Sequence, residues 1–262
     1  MREAIAAFFA RYPECRFRAL GARDNAGALD LAPFGQAASY LDAAAHPAWV
    51  ARYLAANRAR FSGPVALPGW VLVDLYLLPA AIGLLTCPTR LCDVRPEGLD
   101  DDDEAVAAAY YAAPSIVPGT VVGVSLISLR GGIGAAAIIK ALTLKMLRAT
   151  SQQGIAQWDN PSLRVHTRMG SLRLLGPVPS AHGKAEESFL YAVDLADEAR
   201  WREAMVRPRT ISTDVPEGAA WMPVADRREL RALLDRAASG ERIEILPPGL
   251  SDGGTHVLVR RG

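Results

Sequence analysis

Leu129-Arg130-Gly131-Gly132-Ile133-Gly134-Ala135 is the stretch on which the reading of this chain turns. It follows a β-branched, apolar run from Val121 to Leu129 and precedes an alanine- and isoleucine-rich run from Gly134 to Ala149. It therefore reads as the turn between a strand and a helix. Gly131, Gly132 and Gly134 permit backbone angles closed to other residues and let a ligand approach the main chain. Unpaired amides and the positive end of a helix converge at such a junction, which favours a phosphate. Arg130 adds a candidate charge-assisted contact. A tight turn with close packing would use the same glycines, so the neighbouring sequence has to decide. No GxxxxGK[ST] occurs, and no GxGxxG follows an early strand, which sets aside the nucleoside triphosphate and dinucleotide readings.

Downstream, the pattern predicts a short strand (Gly154 to Trp158), a helix (Pro161 to Arg168) and two strands (Leu172 to Leu175, Ser188 to Leu195). Asn160 stands as the N-cap of that helix, with Pro161 at its first position and Gly170 as a C-terminal glycine. Further on, a charged segment carries a helix near Ala225 to Ala238. A pair of strands, Ile243 to Leu246 and His256 to Val259, follows around Ser251-Asp252-Gly253-Gly254.

Between Val121 and Leu195 the chain resembles the GNAT superfamily of acyl-CoA-dependent N-acyltransferases. That family cradles the CoA pyrophosphate in a [QR]xxGx[GA] turn. Leu129-Arg130-Gly131-Gly132-Ile133-Gly134 keeps both glycines and places Leu129 where Gln or Arg is usual. Matching Gly170 to the glycine that ends the family's later helix puts Ser162 at the small-residue position and His166 at the tyrosine position. The resemblance therefore implies that His166 is the general acid that protonates the departing CoA thiolate, chemistry to which a group titrating near neutrality is suited. It also implies a bulge at Val124-Ser125-Leu126 whose amide polarises the thioester carbonyl. Acyl-CoA binding would fall to Val124, Leu126, Leu129 to Ala135, Asn160 and Ser162. The implied fold is α/β, a mixed and mostly antiparallel sheet flanked by helices, with the acyltransferase domain over 1–195 and a C-terminal α/β extension over 196–262.

Upstream of the turn, helices are expected from Arg2 to Tyr12 and from Gln36 to Arg60, with a strand around Arg16 to Arg23 between them. Gly69 to Leu78 and Ala80 to Thr86 read as buried strands. Asp74 is the one carboxylate inside the first of them. Burial would raise its pKa, which makes it the candidate general base, and a hydrogen-bonded structural acid is the alternative. The run Asp100-Asp101-Asp102-Asp103-Glu104 before Ala105 to Tyr111 reads as an acidic helix start. Tyr110 and Tyr111 are candidate pocket or core aromatics, and His182 a loop histidine.

Half of the 262 residues are hydrophobic and 22% are charged, a globular balance that can bury a core. Lys and Arg total 29 against 28 Asp and Glu, so no global field attracts nucleic acid or an anionic membrane. Cys15, Cys87 and Cys92 form neither a disulfide framework nor a zinc-ligand spacing, and no metal is expected. The N-terminus lacks a signal-peptide core and the Gly69 to Cys87 run is interrupted by Asp74 and Pro79. A cytoplasmic protein without a membrane span is expected.

Three functions follow. The first is transfer of an acyl group, with acetyl-CoA the first donor considered, to an amine of a small molecule or peptide by direct attack. The second keeps the thioester and changes the reaction to decarboxylation, hydrolysis or transfer to a carrier thiol. The third is a non-catalytic ligand-binding or oligomerisation module, such as a homodimer built through the C-terminal segment. The acceptor, the acyl length, the general base and the oligomeric state are not encoded legibly.

Overall fold

The computed structural model describes residues 2–22, 26–27, 29–61, 66, 69, 80–178, 188–197, 199 and 215–262. The chain divides into two compact units, whose described residues lie within 2–149 and 150–262.

The first unit is built on the strands β1 (Arg16–Gly21), β2 (Ala38–Asp42), β3 (Ala81–Pro88), β4 (Glu104–Pro114) and β5 (Thr120–Ser128), in the spatial order β2-β1-β3-β4-β5. β1 and β2 are parallel and the other pairs antiparallel, so the sheet is mixed and mostly antiparallel. Helices α1 (Arg2–Arg11), α2 (Pro47–Arg60) and α3 (Ala135–Met146) accompany it. Consecutive residues of a strand face opposite sides of a sheet. Tyr110 of β4 lies beneath Lys140 of α3, whereas Tyr111 interacts with Tyr53 of α2, so β4 is covered by α3 on one side and α2 on the other. Gly83 lets α3 sit close: a Cβ there would stand 1.9 Å from Thr143 Oγ1, far inside contact distance.

The run Ala105 to Tyr111, expected as a helix, is the middle of β4. Every residue from Ala105 to Ala112 is buried. Alanine's helix preference is worth less than 1 kcal/mol per residue, and pairing between β3 and β5 with both faces covered outweighs it. The acids before it are not a helix start. Asp101 and Asp102 pair with Arg95 and Arg90, and Glu104 opens the strand, bound by Arg18. The single helix expected over Gln36 to Arg60 is likewise a strand, β2, and then α2, which begins at Pro47 because proline's fixed φ and missing N–H suit a first helical turn. The strand expected over Gly69 to Leu78 lies, beyond Gly69, outside the described residues.

The second unit has β6 (Ser151–Gln157), β7 (Leu172–Pro177), β8 (Ser188–Asp194), β9 (Ala219–Pro223), β10 (Ile243–Leu250) and β11 (His256–Arg261) in the order β6-β8-β7-β10-β11-β9. Its resolved pairs are antiparallel throughout. The short helix α4 (Leu163–His166) and a 3₁₀ turn over Thr167–Met169 lie against β10, and α5 (Arg227–Ala238) packs on β7. Asp226 caps α5 by accepting a hydrogen bond from the Glu229 amide at 3.1 Å. β10 and β11 are the expected C-terminal pair; β9 has no counterpart in the sequence reading. Among the described residues no helix is long and apolar enough to cross a membrane.

Candidate functional site

The glycine turn links β5 to α3 as expected. Gly132 and Gly134 have φ of +74° and +71°, conformations that cost an L side chain ~1–2 kcal/mol, and Gly134 is the residue before the first helical turn. Ile133 donates to the Gly131 carbonyl at 2.8 Å, and Ala137 and Ile138 donate to the Gly134 carbonyl at 3.0 and 3.1 Å. Among the described residues the amides of Gly132, Gly134, Ala135 and Ala136 have no backbone acceptor. These donors sit at the positive end of a 12-residue helix, the geometry an anion needs.

Two carboxylates that the sequence reading did not identify anchor the turn from below. Asp93 Oδ2 accepts from the Gly131 amide at 2.5 Å. The Asp93 and Val94 amides both donate to the Leu129 carbonyl, at 2.7 and 3.1 Å, so the 93–94 segment is clamped to the turn. Glu14 accepts from Arg130 Nη2 at 2.7 Å, and the Arg130 guanidinium also lies 5.8 Å from the Tyr12 ring centre. Burial pushes the Glu14 carboxyl up, but its backbone hydrogen bond and Arg130 outweigh this and hold it below the usual carboxylate range. Arg130 thus points into the protein, and the cradle is left with neutral donors.

Toward its middle, β5 carries the irregularity expected around Val124. Ser125 pairs with Tyr111 and Gly123 with Ala112, so Val124 is an extra residue with no partner on β4. A bulge of this kind turns its backbone groups out of the ladder. Val124 is 42% exposed. Ser125, on the α2 side, belongs to a buried polar group: Asn57 Nδ2 donates to Ser125 Oγ at 3.5 Å, and the Tyr53 hydroxyl, raised by burial, is partly offset by Ser125. Leu126 pairs with Tyr110. Val124, Ser125, Leu126 and residues 129–135 are therefore carried by one strand and the turn that ends it.

The remaining expected residues lie in the second unit. Asn160 Oδ1 accepts from the Ser162 amide at 2.9 Å, and its carbonyl accepts from the Leu163 amide at 3.0 Å. Its side chain thus closes a turn ahead of α4, with Ser162, whose side chain makes no cap bond, as the residue before the helix. His166 is 6% exposed and its ring lies 5.3 Å from the ring of Tyr191 on β8. Gln152 Nε2 donates to the Tyr191 hydroxyl at 3.2 Å. Gly154 makes room for that ring, since a Cβ would come within 2.6 Å of the hydroxyl. Asp74 and His182 lie outside the described residues.

What these features define is a strand with a bulge, a glycine turn and a helix whose first amides have no backbone acceptor among the described residues. No family model matches the chain, and no curated protein does. Among solved structures, it is similar to a protein from Desulfovibrio desulfuricans described as a candidate acetyltransferase of the GNAT family. That likeness has 14% identity and a TM-score of 0.38 and covers 58% of this chain and 94% of that one. It is also similar to YncA of Salmonella typhimurium, a candidate acetyltransferase solved with acetyl-CoA, at 15% identity and a TM-score of 0.37, covering 60% and 92% of the two chains. A third candidate acetyltransferase is 18% identical with a TM-score of 0.37, covering 63% and 86%.

Proposed function

We propose that this chain is an acyltransferase that takes an acyl group from acyl-CoA, acetyl-CoA in the first instance, and passes it to an amine by direct attack. The observation that carries the reading is the pairing of the Val124 bulge with the glycine turn on one strand. From Val124 to Leu129 is five residues, about 17 Å at ~3.3–3.4 Å each, comparable to an extended pantetheine arm. The pyrophosphate would be held by the amides of Gly132, Gly134, Ala135 and Ala136. The thioester carbonyl would lie at the Val124 amide, which stabilises the oxyanion that forms when the amine adds. Breakdown of that intermediate expels the CoA thiolate, which needs a proton, and the resemblance drawn from the sequence assigns that proton to His166. A small-molecule or peptide amine is the acceptor, and residues 1–195 are the catalytic part.

One observation favours a different class. The Arg130 side chain and the Gly131 amide are already engaged, by Glu14 and Asp93, as they would be in a turn built only for packing. Thermal unfolding with and without millimolar CoA separates the two, because a ligand that binds the native state raises stability. Stabilisation, with amine-dependent release of CoA from acetyl-CoA, supports the acyltransferase. No shift with CoA sinks it. CoA release without any amine moves the reading to thioester hydrolysis.

A further inference from the structure

The three cysteines, at positions 15, 87 and 92, meet beneath the glycine turn. Cys15 Sγ lies 3.4 Å from Arg130 Nη1, and the Cys87 and Cys92 sulfurs are 3.9 Å apart, joined through Pro88 and the 3₁₀ turn Thr89–Leu91. Their environments are unequal. A hydrogen bond from Cys92, reinforced by Arg130, lowers the Cys87 thiol against the effect of burial. The same bond, with burial, pushes Cys92 upward, and burial pushes Cys15 up to about 12. Two sulfurs within van der Waals reach, with the Cys87 thiol lowered and the Cys92 thiol raised, have the asymmetry that thiol oxidation uses.

We propose that Cys87 and Cys92 form a reversible disulfide whose closure is transmitted to the glycine turn. Hydrogen peroxide is the oxidant class that fits, since both sulfurs are buried and the reagent must be small. The Cys87 thiolate attacks one peroxide oxygen, the O–O bond breaks, and the departing hydroxide takes a proton to become water. The Cys92 sulfur then attacks the resulting Cys87 sulfenic acid. An S–S bond forms, the S–O bond breaks, and the leaving hydroxide takes the Cys92 proton as a second water. Two thiols are oxidised to one disulfide and one peroxide is reduced to two waters.

The connection to the turn is covalent and short. Closing from 3.9 Å to ~2.05 Å draws Cys92 toward Cys87. Cys92 is followed by Asp93, whose amide holds Leu129 and whose carboxylate holds the Gly131 amide. Oxidation also removes the thiolate beside Arg130. Both changes loosen the clamp under the cradle.

The test uses the full chain, reduced or treated with hydrogen peroxide. Peptide mapping without reductant is expected to show a Cys87–Cys92 cross-link with the loss of two hydrogens, reversed by dithiothreitol, and Cys15 still open to alkylation after unfolding. Amide hydrogen exchange over 129–134 is expected to rise several-fold on oxidation and to return on reduction. Cys15→Ser keeps this response, and Cys92→Ser loses it. No cross-link, a cross-link to Cys15, or a cross-link that leaves exchange at the turn unchanged overturns the proposal. These readouts need no CoA. If reduced protein fails to bind CoA, the acyltransferase reading falls and the disulfide result stands on its own; if it binds, oxidation should weaken binding several-fold.

Discussion

Replacing Gly132 by valine tests the cradle separately from the fold. With φ of +74°, Gly132 sits where an L residue is strained by ~1–2 kcal/mol, and a β-branched side chain is at the upper end. Nothing lies within 4 Å of the position a Cβ would take, so strain is the only structural penalty. At ~2–4 °C per kcal/mol for a chain of this size, thermal unfolding should fall by about 2–8 °C. Gly98 supplies a matched control, because it has φ of +76°, equally open surroundings and no place in the turn. Gly98→Val should cost the same stability. The two variants should part only in CoA binding. A hydrogen bond to a charged group is worth ~1.5–3 kcal/mol, so each phosphate contact that the valine blocks weakens binding by roughly 10- to 150-fold. Calorimetry with CoA should therefore find near wild-type affinity in Gly98→Val and at least a tenfold loss in Gly132→Val. Equal affinities in the two variants would refute the cradle, and a larger stability loss for Gly132→Val would show a packing role instead.

His166→Phe preserves an aromatic ring beside Tyr191 and should lower the turnover of acetyl-CoA at least tenfold with CoA affinity little changed; wild-type steady-state rates would remove His166 from the chemistry. Lys140 is fully buried, and desolvation lowers its pKa well below 10.5. Between that lowered value and ~10.4 the unfolded chain binds more protons than the native one, so the lysine makes stability rise with pH by up to ~1.36 kcal/mol per unit. Lys140→Met should flatten denaturant-measured stability across pH 8 to 10, and an unchanged slope would show that the amine keeps its proton in the fold. Glu14→Gln releases Arg130 toward the turn and should raise CoA affinity several-fold, with a steeper salt dependence, at ~1 kcal/mol or less of stability. The Glu14 carboxyl is held below its ordinary value, so its contribution to stability is complete above ~4.3 and is lost as pH falls through the lower folded value; the variant should lack that acid-side loss in urea titrations.

The turn was legible because its signal is local: glycines at positive φ between a β-branched run and an apolar helix leave little choice of backbone. α5 was legible for the same reason, with an acidic cap and a strongly segregated apolar face. β4 was not, because its identity depends on what covers it. An alanine-rich run with two tyrosines is a good helix in isolation and becomes a strand only once α3 and α2 close over its two faces. β2 lies parallel to β1, a pairing between segments about 20 residues apart that no hairpin signal announces. The partners of the turn were hidden for a related reason. Glu14 lies 116 residues before Arg130 and Asp93 38 before Gly131, and nothing in their spacing marks them as neighbours. The cysteines carried a faint signal in their number, three in a chain of this length, but only the fold brings them together.

If the turn binds an anion as proposed, the charges around it set what kind of anion it can take. Arg130 and Glu14 cancel, and Asp93 leaves the immediate surroundings negative, more so when Cys87 is a thiolate. A free phosphate ion would meet this field with only amide dipoles in its favour. A ligand that also lay along β5, as in the proposed function, would differ, because attachment at the bulge would contribute binding that does not depend on charge, and the turn would then need only to orient one end of it. The leucine at position 129 fits that division of labour. Its side chain is buried and its carbonyl receives the 93–94 clamp, so it holds the turn in shape. Shape of the backbone, rather than formal charge, is what this turn contributes, and that is why its glycines and the carboxylate that fixes them are the residues on which the proposed function rests.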